Sequence, residues 1–145
     1  GAHEARVWLR DGRVTGAAID GKEMAPLKAI ARILTWGAGA FEMGSGGRLM
    51  RLDGESAESL LLDALRLYDE TQPALERFPD PRTRIGLAKP MKGRLSGLSK
   101  AELDAVQIFL DVPVLNSAFE AFSGTDFELV QIVASLVDKG ILAVL

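Results

Sequence analysis

An aspartate–glycine pair set between two apolar runs constrains the fold of this chain more than any other feature. Val7 and Leu9 precede Asp11-Gly12, and Val14 and Ile19 follow it. Glycine tolerates positive φ and aspartate caps its own turn, so the dipeptide predicts a hairpin between strands near 6–10 and 13–19. Asp20-Gly21 closes the second strand. Ala25, Leu27, Ile30, Ala31, Ile33, Leu34 and Trp36 then recur at spacings of three and four, which predicts an amphipathic helix over 23–36. Pro26 suits its first turn, where a missing N–H costs nothing, and Gly37 suits the position just past its end.

The run Trp36-Gly37-Ala38-Gly39-Ala40-Phe41 reads as packing and turn. Trp36 and Phe41 are expected to anchor a small core, with the glycines as a hinge between helix and strand; a ligand-stacking pair is the alternative. Ala40 to Met43 should start a short strand, Gly44 to Gly47 should turn, and Leu49, Met50 and Leu52 should return. The glycine run lacks the Lys-Ser/Thr of a phosphate loop. A second helix over 55–69 follows, with Leu60, Leu61, Ala64, Leu65 and Tyr68 as its stripe. Leu62 and Leu67 widen that stripe, so a second surface should cover part of it.

Residues 71–98 hold four of the six prolines and the basic run Arg82, Arg84, Lys89, Lys92 and Arg94, with no acid between Asp80 and Glu102. They read as a connector, because residues before proline avoid the helical region. Ser99-Lys100-Ala101-Glu102 is a capping-box pattern that opens a helix to about Leu110. A second helix runs from Val112-Pro113 to Gly124. Thr125-Asp126-Phe127-Glu128 repeats the box before a third helix ending at Lys139-Gly140, and a short apolar strand follows over 141–145. Three helices and a strand in this span match a winged-helix arrangement. The expected class is α+β: a small antiparallel sheet with helices at 4–70, a connector at 71–98 and a winged-helix-like unit at 99–145.

At 145 residues, 48% apolar and 26% charged, the chain suits one ordinary or two small domains. Residues 1–98 carry 15 basic against 13 acidic side chains, and residues 99–145 carry 2 against 7. That asymmetry supports two units. The absence of cysteine removes disulfides, cysteine–metal sites and thiol chemistry, and fits a reducing cytoplasm. No apolar stretch approaches the roughly 20 residues of a membrane span, and no basic-then-apolar leader opens the chain. Gly1-Ala2-His3 reads as a cloning remnant, so the single histidine is expected not to be native.

The chemistry reads as sparse. No Ser/His/Asp set is expected without a native histidine. Asp63, Asp69 and Glu70 sit beside Arg66 on a helix and read as a solvated face, because paired acids catalyse only when their environments split their pKa values. No catalytic, cofactor or metal-binding residue is expected, and the chain reads as a non-enzyme. A recognition helix at 125–138 would carry Asp126, Glu128 and Asp138 and no base, which disfavours DNA. The basic run could touch nucleic acid but reads by default as a solvated linker, and Phe119, Phe122 and Phe127 are candidates for docking a protein, although most of their surface reads as core.

Three segments resemble a known family. Val7-Trp8-Leu9-Arg10-Asp11-Gly12-Arg13-Val14-Thr15-Gly16-Ala17 is similar to the Asp-Gly-Arg hairpin of PATAN-type domains of bacterial response regulators. Leu34-Thr35-Trp36-Gly37-Ala38-Gly39-Ala40-Phe41 resembles their Leu-x-Trp-x-x-Gly-x-Phe motif. The segment from Leu60 to Glu70 resembles their closing helix, which ends in Arg66, Asp69 and Glu70. The resemblance marks Asp11, Gly12, Arg13, Trp36, Gly39, Phe41, Arg66, Asp69 and Glu70 as structural positions. It implies a non-catalytic cytoplasmic adaptor of bacterial signalling, linked to surface motility and type IV pili. A winged-helix-like tail also occurs in such proteins, and a DNA-binding regulator is the rival reading. The family domain normally has a helix and a strand ahead of the hairpin, and this chain starts at the hairpin. The exposed sheet edge leads to an expectation of self-association.

Overall fold

The computed structural model describes residues 2–44 and 54–145 and is α+β. It divides into two compact units, Gly1–Asp69 and Glu70–Leu145.

The first unit is an antiparallel meander covered by a helix. Strand β1 (Ala5–Arg10) pairs with β2 (Arg13–Ile19), and β2 pairs with β3 (Lys22–Met24). Both turns are two residues long and both are Asp-Gly. Asp11 and Gly12 have φ of 53° and 74°, Asp20 and Gly21 of 50° and 81°. Positive φ at both central positions matches the right-handed twist of the strands, which is why this dipeptide builds hairpins. The first turn is the expected one; β3 is not expected from the sequence, although Asp20-Gly21 carries the same signal. An irregularity between Trp8 and Leu9 leaves Trp8 opposite Gly16 and Leu9 opposite Val14. Central β2 is buried from Val14 to Ile19. Its residues Ala17 and Ile19 pack with Ala29 of helix α1 (Pro26–Ile33), and Ala5, Met24, Ile33 and Trp36 close that core. The helix is shorter than expected. A single 3-10 turn, Leu34–Trp36, replaces its last turn and ends at Gly37, with φ of 72°.

Strand β4 (Glu55–Ser56) pairs with the start of β2 beside Gly54, which is buried against the Val14 carbonyl with no room for a Cβ. The Ser56 hydroxyl accepts from the Ser59 N–H at 3.3 Å and starts helix α2 (Ala57–Arg77). The expected strand at 40–43 is not formed, and residues 37–44 are irregular. The expected turn after Gly44 and the return at Leu49, Met50 and Leu52 lie outside the described residues.

The second unit shows why residues 71–98 are not a connector. Helix α2 continues past Glu70 and through Pro73 to Arg77. Proline inside a helix costs about 3 kcal/mol, so packing must outweigh that. Thr71 is fully buried and its hydroxyl accepts from Gln131 Nε2 at 2.8 Å. Ala74, Leu75 and Phe78 pack into the main core. Arg77 holds Asp138 with two hydrogen bonds of 3.2 and 3.0 Å. Strand β5 (Ile85–Leu87) then pairs antiparallel with β6 (Leu142–Val144), with Ile85 fully buried. The intervening loop is pinned by bonds from the Ala88 and Lys92 N–H groups to the Ile141 and Gly140 carbonyls.

Helices α3 (Lys100–Asp111), α4 (Leu115–Ala121) and α5 (Asp126–Asp138) fill the rest. The capping box at Ser99 is complete, with Glu102 bonded in both directions. Thr125 caps α5 by accepting from the Glu128 N–H. The far end of α5 is a Schellman turn: Gly140 has φ of 73°, its N–H reaches the Val137 carbonyl, and the Ile141 N–H reaches Leu136. The order of three helices and a strand is the expected one. The strand pairs, however, with β5, which precedes the helices.

Candidate functional site

The sheet of the first unit has an outer edge. Residues alternate along β1, and their backbone groups alternate with them. The two-residue turn makes Arg10 and Arg13 a bonded pair, and the Asp20 N–H reaches the Glu4 carbonyl at 2.7 Å. The backbone groups of the even residues 4–10 therefore face β2. Those of Ala5, Val7 and Leu9 face away, and among the described residues no strand pairs with them. An unpaired edge is a template for another strand. Beside the exposed Arg6 and Arg10, two of its apolar side chains also reach solvent: Val7 is 38% and Leu9 60% exposed.

A groove runs beside that edge, with β1 on one side and residues 36–44 on the other. Trp36 is half-buried, and His3 stacks on it with ring centroids 5.6 Å apart. His3 Nδ1 lies 2.8 Å from Asp20 Oδ2. The turn carboxylate also accepts from the Glu4 N–H, and these two bonds lower the Asp20 pKa. Sequence reading missed this cluster, since its members are up to 33 positions apart and none is part of a recognisable pattern. Phe41 departs from expectation. It is 90% exposed, and Met43 is 89% exposed. Trp36 anchors the small core; Phe41 does not, because no strand forms to turn it inward. The two aromatics are not a stacked pair. Gly39 has nothing near its missing Cβ and no positive φ, so the hinge function falls on Gly37 alone.

The hairpin residues Asp11, Gly12 and Arg13 are exposed, and Arg13 Nη1 donates to the Gly54 carbonyl at 3.0 Å. Arg66, Asp69 and Glu70 are exposed on α2, seven residues or more before its end. Leu61, Leu62 and Leu65 are exposed on the same helix.

The basic residues sit on the second unit. Arg82, Arg84, Lys89, Lys92 and Arg94 all expose their side chains. Their backbone is held: Arg84 bridges Val114, and Lys92 is tied to Gly140. Arg82 is engaged with Asp80, whose carboxylate also accepts the Arg82 N–H, and these bonds lower the Asp80 pKa. The three phenylalanines follow the core reading rather than the docking one. Phe122 and Phe127 are buried, and Phe119 packs against the core. Large side chains on a three-helix unit of this size are needed to fill its interior. Helix α5 buries Phe127, Leu129, Val130, Val133, Ala134 and Leu136.

Among the described residues, no three His, Asp or Glu side chains converge where they could hold a metal ion. The third carboxylate with a lowered pKa is Glu102, which accepts from Lys139 Nζ at 2.6 Å and from the Ser99 N–H. All three shifted acids serve turns or a helix cap. No described helix is long and apolar enough to cross a membrane. Compared with known proteins, the chain matches no family model, no curated protein and no solved structure.

Proposed function

We propose that this chain is a non-catalytic protein–protein interaction module of bacterial signal transduction, of the PATAN type and cytoplasmic, and that it works through its amino-terminal unit. The observation that carries the reading is the exposed apolar surface beside a strand edge that no described strand pairs with: Val7 and Leu9 on β1, Phe41 and Met43 across the groove. Large apolar groups so open to water mark a surface meant for another macromolecule. The family reading itself is supported by the sequence resemblance at the Asp-Gly-Arg hairpin and at Trp36. A link to motility or type IV pili rests on that resemblance alone.

The rival reading, a winged-helix DNA-binding regulator, draws on the exposed basic run at 82–94. It is disfavoured by α5, which is acidic at both ends and largely buried. The test is affinity capture from the source organism with wild-type chain and with Leu9→Asp/Phe41→Asp. The expected result is a protein retained by the wild type and lost by the variant, with no retardation of random duplex DNA at low salt. Retention of duplex that disappears on substituting Arg84, Lys89 and Lys92 would favour the rival.

A further inference from the structure

We infer that β1 of one copy pairs antiparallel with β1 of a second copy, with Val7 opposite Val7 on a two-fold axis. This deepens the reading of the chain as an interaction module and rests on it. Three observations select the occupant and its register.

The first is the direction of the backbone groups. Ala5, Val7 and Leu9 point their N–H and C=O outward, so only registers that set odd residues against odd residues form a ladder. The second is charge. With Val7 opposite Val7, Glu4 of each copy faces Arg10 of the other, twice over. Moving the register by two residues in either direction sets arginine against arginine: Arg6 on Arg6, or Arg6 on Arg10. Like charges directly opposite destabilise a strand pair. Longer slips leave at least half of the six-residue strand unpaired. The third is the side-chain pattern. In the selected register one face carries Ala5 opposite Leu9 around the central valines. The other carries Arg6 opposite Trp8, a guanidinium beside an indole. Glu4 and Arg6 are well exposed, with an ion pair of 3.1 Å between them, so Glu4 is accessible to a second arginine.

A six-residue strand pair falls short of the area of a standard interface. Phe41 and Met43, exposed beside the same edge, are the apolar groups available to extend it.

The experiment follows the mass of the intact chain with concentration by sedimentation velocity. The wild type is expected to dimerise. Glu4→Arg and Arg10→Glu, both at exposed positions, should each raise the dissociation constant about tenfold. The double swap should restore it, because the introduced arginine of each copy then faces the introduced glutamate of the other. Because the chain has no cysteine, Val7→Cys gives a second readout. A bonded antiparallel pair sets its Cα atoms about 5.5 Å apart, within disulfide range. Mild oxidation should therefore link Val7→Cys chains and leave Leu110→Cys chains unlinked. A strict monomer overturns the inference, and so does a dimer indifferent to the swaps. Capture of a different protein by such a monomer would leave the broader reading standing, so the two failures are distinguishable.

Discussion

Glycine has two different duties in this protein. Gly140 occupies left-handed backbone at φ of 73°, and a Cβ there would lie 2.7 Å from Lys92 Cβ. Gly39 belongs to the more conspicuous glycine run, yet it meets nothing and has ordinary φ. Gly140→Ala is therefore expected to destabilise by about 1–2 kcal/mol through the left-handed conformation, and more where Lys92 cannot shift. Gly39→Ala should stay within about 0.5 kcal/mol. Urea denaturation of the two variants checks the pair, and equal effects would refute it. The sequence made Gly39 prominent because it sits in a motif. Only the neighbour set shows that the glycine at the end of α5, like the buried Gly54, has no room for a Cβ.

At the level of elements, helix ends were the most legible features, because a cap is a local transaction among four residues. Ser99 and Glu102 formed the full box that their spacing predicts. What the spacing did not show is the partner from 37 residues away. Lys139 donates to the same Glu102 carboxylate, and this bond is the leading cause of its lowered pKa, followed by the Ser99 N–H. The sign follows from linkage. The ordinary glutamate value is 4.5 and the folded value is lower. The unfolded chain thus binds more protons in the interval between them. The contribution of Glu102 is present above 4.5 and disappears as pH falls through the folded value. In chemical denaturation across pH 6 to 2, Glu102→Gln should show a smaller acid-side loss than the wild type. Identical profiles would show that the carboxylate is not linked to folding. Element ends failed where a distant contact decided them. Helix α2 runs through Pro73 because Thr71 is buried in the second unit and Ala74 and Leu75 pack against its core, and no local rule anticipates that.

For the molecule as a whole, the boundary between units falls near Asp69, inside a helix, rather than in a proline-rich linker. Phe78 and Ile85 belong to the main core, and β5 supplies the only strand that β6 pairs with among the described residues. A fragment of residues 70–145 should therefore unfold cooperatively on heating. A fragment of residues 99–145 lacks β5 and both core side chains and should not. A sharp transition in the shorter fragment, followed by circular dichroism, would show that 71–98 is dispensable.

The amino-acid order by itself determined the α+β class, the first hairpin and the three carboxy-terminal helices, since two-residue turns, caps and apolar periodicity act over a few positions. Tertiary structure decided which of the aromatics expected to pack are in fact buried. Phe122 and Phe127 went inside and Phe41 did not, because burial depends on whether a partner surface exists, and that is settled by contacts between segments far apart in the chain. The same holds for the outer edge of β1. Its apolar residues were readable as strand, but that no described strand lies against them is a property of the assembled sheet.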